Sequence, residues 1–99
     1  MAGNDKSIEA FFEHLRYERR LSEHTVTAYQ RDLSRFCDFM KERGIGSFNR
    51  LTPPHARLFA AGLRHAGLSG RSISRTLSAV RSCYRYLLRE KQAKLNPFE

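Results

Sequence analysis

Between Ser69 and Arg89 the sequence sorts into two interleaved stripes. Ile73, Leu77, Val80, Tyr84, Leu87 and Leu88 fall on one side of a helix drawn at 3.6 residues per turn, and Arg71, Arg75, Ser78, Ser82, Arg85 and Arg89 fall on the other. That period demands an α-helix buried along one flank and wet along the opposite one. The stretch holds five arginines and no Asp or Glu. A solvated helix face ordinarily mixes signs, because like charges one turn apart repel. Arginines separated by small hydroxyls instead suit a line of phosphates: the guanidinium neutralises, and serine donates a hydrogen bond without blocking approach. An ordinary basic surface helix is the alternative that this pattern alone leaves open.

The rest of the chain supplies three more stripes of the same period. Ile8, Phe11, Phe12 and Leu15 predict a first helix over about Asp5 to Arg20, capped by Asn4 or Asp5. Ser22 is the expected N-cap of a second helix, about Glu23 to Arg43, with Val26, Tyr29, Leu33, Phe36, Cys37 and Met40 inward. Gly44 suits its left-handed C-terminal stop and Ile45 the apolar contact that follows. The outer side of this helix carries His24, Thr27, Arg31, Ser34 and Arg35, with Asp32 and Asp38 nearby. Gly46 to Leu51 reads as a loop with Phe48 and Leu51 turned inward. Thr52-Pro53-Pro54 opens a third helix that buries Ala56, Phe59, Ala60 and Leu63 and stops at Gly67. The fourth helix fades by Gln92, and Pro97 bars any continuation through Asn96. No segment alternates with period two, so the expectation is all-α: a compact four-helix bundle in one domain spanning residues 1–99.

Charge is as unevenly placed along the chain as around the fourth helix. The formal net charge is +8. Residues 1–43 carry eight basic and eight acidic side chains, and residues 44–99 carry ten and two, so the whole excess lies in the second half. A sided excess points to a contact surface for a polyanion, with nucleic acid ahead of acidic lipid. No apolar run nears the roughly 18 residues of a membrane span, and the first residues lack the apolar stretch of a secretory signal. Cys37 and Cys83 both fall on or beside apolar stripes, which predicts buried thiols in a reducing, cytoplasmic setting.

Catalytic chemistry finds no constellation here. His14, His24, His55 and His65 are scattered, and no His/Cys spacing resembles a zinc site, so no metal and no cofactor is expected. Neither a P-loop nor a dinucleotide fingerprint occurs. Glu9, Glu13 and Glu42 read as helix-surface acids.

Two blocks carry a family resemblance. Residues 18–36 follow the pattern E-R-x-L-S-x-x-T-x-x-x-Y-x-x-D-L-x-x-F, from Glu18-Arg19 through Tyr29 and Asp32-Leu33 to Phe36. Residues 77–87, Leu77-Ser78-Ala79-Val80-Arg81 through Leu87, follow L-S-A-[LV]-R-x-[FL]-[FY]-x-[FY]-L, and Asn96-Pro97 matches the N-P that closes the domain. Both blocks resemble tyrosine site-specific recombinases, and the likeness covers about residues 7–99. Xer-type recombinases fit best, the XerC branch ahead of the XerD branch. Cys83 and Tyr84 stand where that family often has Phe.

The resemblance implies a SAM-like, N-terminal core-binding domain that forms one jaw of a clamp on double-stranded DNA, with its second and fourth helices facing the duplex. It places the catalytic set in a C-terminal domain absent from these residues, so Tyr17, Tyr29, Tyr84 and Tyr86 are not candidate nucleophiles. It also implies partner recombinase subunits in a tetramer when full length, whereas the isolated domain is expected to be monomeric. The DNA-binding candidates are Thr25, Thr27, Arg31 and Arg35 from the second helix and Arg71, Arg75, Ser78, Arg81, Ser82, Arg85 and Arg89 from the fourth. A helical protein-interaction module with a basic face and a stand-alone helix-turn-helix regulator are the alternatives.

Overall fold

Three serines and threonines start helices here, each by the same device. Ser22 accepts the Thr25 amide at 3.2 Å, Thr52 accepts the His55 amide at 3.5 Å, and Ser69 accepts the Ser72 amide at 3.1 Å. Each side-chain oxygen satisfies an amide that the helix itself cannot. His55 returns the bond, its Nδ1 accepting from the Thr52 amide at 3.1 Å, so histidine closes a capping box usually closed by Glu or Gln. The computed structural model describes residues 2–99, with side chains described from Lys6 onward. It contains α1 (Ala2–Glu13), α2 (Glu23–Glu42), α3 (Pro53–His65) and α4 (Gly70–Arg89), with a 3-10 turn at Phe48–Arg50 and no strand among the described residues. The first helix begins at Ala2 and not near Asp5, so Asn4 and Asp5 lie within its first turn and are not its N-cap.

The helix stops are equally local. After α2, the Ile45 amide returns to the Met40 carbonyl at 2.9 Å while Gly44 takes φ 68°. After α3, Leu68 returns to Leu63 at 3.3 Å around Gly67. After α4 the same closure forms around a residue that is not glycine: Gln92 bonds the Leu87 carbonyl at 2.8 Å with Lys91 at φ 60°.

The first helix departs from its expected course. Instead of running regularly to Arg20, it widens into a π turn over His14–Glu18. The Arg19 amide reaches back five residues to the His14 carbonyl at 3.0 Å, and Arg20 reverses the chain at φ 52°.

α4 packs against all three other helices, most extensively α2. Phe36 of α2 sits at the centre, with the rings of Phe59, Phe98, Phe48 and Tyr84 at 5.2, 5.6, 6.0 and 6.3 Å. The Tyr84 hydroxyl donates to the Phe48 carbonyl at 2.8 Å, and burial pushes its phenol well above the ordinary value. Phe48 and Leu51 are buried under the loop, as their positions predict. The buried edge of α4 is Thr76, Ala79, Val80, Cys83, Tyr84 and Leu87, with Ile73, Leu77 and Leu88 half-buried. The contact line is therefore rotated slightly from the purely apolar one.

Candidate nucleic-acid interface

The polar stripe of α4 faces solvent for most of its length: Arg71, Arg75, Ser78, Arg85 and Arg89 are exposed and Ser82 is half-buried. Their spacing of three and four residues keeps them in one row. At 1.5 Å per residue, the row from Arg71 to Arg89 is about 27 Å long.

Four of the five arginines on α4 have partners. Arg75 turns toward α2, donating through Nε to Asp32 Oδ2 and through Nη2 to Asp32 Oδ1, both at 3.0 Å. Asp32 has no solvent exposure, and the Thr76 hydroxyl donates to its Oδ1 at 3.1 Å. Hydrogen bonding to Asp32, followed by its charge, raises the Arg75 pKa further above its ordinary value. Asp32 therefore belongs to the contact between the helices, and Arg75 forms a bidentate staple between α2 and α4 while its side chain stays 44% exposed.

Arg81 is likewise engaged within the fold. It is half-buried, its Nε donates to the Phe98 carbonyl at 3.2 Å, and its own carbonyl accepts from Asn96 Nδ2 at 3.4 Å. It holds the segment after α4.

Arg85 and Arg89 pair differently. Arg85 Nε lies 3.3 Å from Glu99 Oε1, and Arg89 lies 3.2 Å from Glu90 and 3.4 Å from Glu18. All these side chains are substantially exposed, so each contact contributes about 0–1 kcal/mol and exchanges readily. Glu18 is held below the usual carboxylate range first by its hydrogen bond with His14, at 2.7 Å, and further by the charges of His14 and Arg89. Arg71 has no side-chain partner among the described residues.

On α2, Arg31 and Arg35 are exposed, with no side-chain partner among the described residues, and Thr27 is exposed. Thr25 is half-buried and belongs partly to the helix start, its hydroxyl accepting from Ser22 at 3.0 Å. Since Arg31 adjoins Asp32 in sequence, the Asp32–Arg75 staple fixes the cation-bearing part of α2 beside the N-terminal half of the α4 row.

The remaining chemistry is quiet. Tyr84 is buried, Tyr29 and Tyr86 are half-buried against Phe11, and Tyr17 is exposed. Both cysteines are thiols; Cys83 is buried and burial pushes its pKa up strongly, whereas Cys37, expected to be buried, is only half-buried. Among the described residues no three His, Cys, Asp or Glu side chains gather into a metal site, and no helix is long and apolar enough to cross a membrane.

Comparison with known proteins gives a consistent picture. Residues 8–91 match the family described as phage integrase, N-terminal SAM-like domain. The chain is similar to tyrosine recombinase XerC of Pseudomonas putida strain F1, with 45% identity over 92 residues that make up 93% of this chain and 31% of that protein. Tyrosine recombinase XerC of Pseudomonas putida strain W619 is 42% identical over 94% of this chain and 31% of its own length. The same protein of Pseudomonas aeruginosa strain LESB58 is 42% identical over 91% of this chain and 30% of its own length. The chain thus spans about a third of the length of these curated relatives. No solved structure matches it.

Proposed function

The chain belongs to the phage integrase N-terminal SAM-like domain family, and from that premise we propose that it holds duplex DNA against the α4 row and the adjoining part of α2. The observation that carries this reading is the row itself: arginines and serines at helical spacing, exposed, on a helix whose opposite edge is the core. Arg71, Arg85, Arg89, Arg31 and Arg35 meet phosphates, and Ser78, Ser82 and Thr27 donate beside them. Thr25 contributes from the N-terminus of α2. Arg75 and Arg81 are positioning residues, the first setting α2 against α4 and the second holding the segment that follows.

Most of these contacts go to the backbone of the duplex, so binding depends on salt more than on sequence. Five neutralised phosphates give a slope of log affinity against log salt of about −4 to −5. The test is the double variant Arg31→Ala with Arg71→Ala, because neither side chain supports the fold. Its slope should be shallower by about 1.8, and its affinity at low salt about tenfold or more below the parent. A variant that binds like the parent overturns the assigned face. Arg75 is unsuited to this test, since removing it strands Asp32.

In a longer protein of the XerC kind, this domain would grip the recombination site while a separate catalytic domain, in a tetramer of recombinase subunits, cuts and exchanges strands through a phosphotyrosyl intermediate. Resolution of chromosome dimers in the cytoplasm is the role that the Xer likeness supports. The catalytic groups of such a reaction would lie outside these residues.

A further inference from the structure

We propose that the hollow between the π turn and α4 seats one phosphate group of the bound duplex, with Arg19 as a ligand alongside Arg85 and Arg89. The proposal rests on the DNA-binding reading above and adds a residue from outside both helices of that interface. The hollow measures about 190 Å³, and Arg19, Arg85, Arg89 and Ser82 line it together with Phe11, Tyr86 and His14, whose Nδ1 lies 3.3 Å from Arg89 Nη2 and 2.7 Å from Glu18. Three arginines from two elements thus line one concavity.

The π turn brings Arg19 there. Its wide backbone bond to His14 and the reversal at Arg20 end the first helix with Arg19 at the wall facing α4. No partner occupies the Arg19 side chain among the described residues. Arg89 is held over the Tyr86 ring at 5.3 Å, which keeps its fork at the hollow. Glu18, Glu90 and Glu99 compensate Arg85 and Arg89 only through exposed contacts of 3.2–3.4 Å, which a phosphate can replace at little cost. The guanidinium fork matches phosphate oxygens, and the apolar floor strengthens the attraction. Ser78 and Arg71 continue the same row away from the hollow, which suits a polymer of phosphates better than a single small anion.

The experiment measures binding of the 99-residue chain to two 20-base-pair duplexes of unrelated sequence across a salt series, with Arg19→Gln and, as control, Arg64→Gln on α3. A parallel arm titrates inorganic phosphate and follows the amide resonances of Arg19 and Ser82. The expected result is a slope shallower by about 0.9 for Arg19→Gln on both duplexes, a several-fold loss of affinity at low salt, and parental behaviour of Arg64→Gln. An Arg19→Gln slope equal to the parent's, where the parent binds, overturns the pocket and leaves the α4 row standing. If the parent binds neither duplex at low salt, the DNA reading falls, and the second arm decides the pocket by itself. Saturable shifts in the parent that vanish in Arg19→Gln then reassign it to free phosphate. No shifts overturn it.

Discussion

Asp32 sits at zero exposure with both carboxylate oxygens occupied, by the Arg75 fork and the Thr76 hydroxyl. Deleting one partner of such a pair leaves polar atoms buried without hydrogen bonds, which costs far more than the intact pair contributes. Arg75→Ala should therefore destabilise the fold by about 2–3 kcal/mol, below the range for fully buried pairs because the Arg75 side chain is 44% exposed and water screens it. In a domain of this size that lowers the melting temperature by about 10 °C or more. Arg75→Lys should rescue only part of the loss, since an ammonium cannot span both oxygens. Thermal melts check both, and an Arg75→Ala melt coincident with the parent would return Arg75 to the phosphate row. This pair was legible in part. Asp32 falls three residues after Tyr29 and four before Phe36, and Thr76 falls three after Ile73 and four before Val80, so each interrupts an apolar stripe. Two polar residues on two stripes that must face each other are a signal. Naming Arg75 as their partner needs the crossing of α2 and α4, which no local pattern encodes.

The elements themselves were mostly written locally. Ser22, Thr52 and Ser69 cap where the sequence places caps, and Gly44 and Gly67 stop α2 and α3 in the left-handed conformation. Two ends escaped because they use residues that do not advertise that conformation, Arg20 and Lys91. The π turn escaped because Phe11 and Leu15 keep ordinary helical spacing although Leu15 already lies within it, and Tyr86 of α4 packs its ring 4.9 Å from that of His14, the first residue of the turn. Lys91 offers the direct test. A non-glycine residue in the left-handed region costs about 1–2 kcal/mol, and glycine returns part of that to chain entropy in the unfolded state. Lys91→Gly should raise stability by about 0.5–1 kcal/mol, read as a higher denaturant midpoint at unchanged slope. A lower midpoint would mean that Lys91 contributes more through its side chain than its backbone conformation costs.

At the scale of the molecule, the segment after α4 is built into the fold. Asn49 clasps it with both ends of its amide, donating to the Gln92 carbonyl at 3.2 Å and accepting from the Lys94 amide at 2.9 Å. Arg81 holds the Phe98 carbonyl, Asn96 caps the Phe98 amide at 3.0 Å, and Pro97 is buried. The Phe98 ring then reaches Phe36, Phe59 and Tyr84 at 5.6, 6.3 and 5.9 Å, touching α2, α3 and α4 at once. The sequence marks Pro97 as a helix stop but carries no periodicity in these few residues to show that the chain turns inward. Phe98→Ala should cost about 2–3 kcal/mol, less than full burial would give because the ring is half-buried. It should also loosen the Arg85–Glu99 contact, because Glu99 hangs from the same anchored segment. The same variant therefore separates stability from binding. Urea midpoints should fall, while duplex affinity measured well below the midpoint should hold or rise slightly as Arg85 is released to phosphate. A matching loss of affinity in fully folded protein would show instead that the anchored segment shapes the DNA-facing row, and would move Arg81 and Phe98 into the interface.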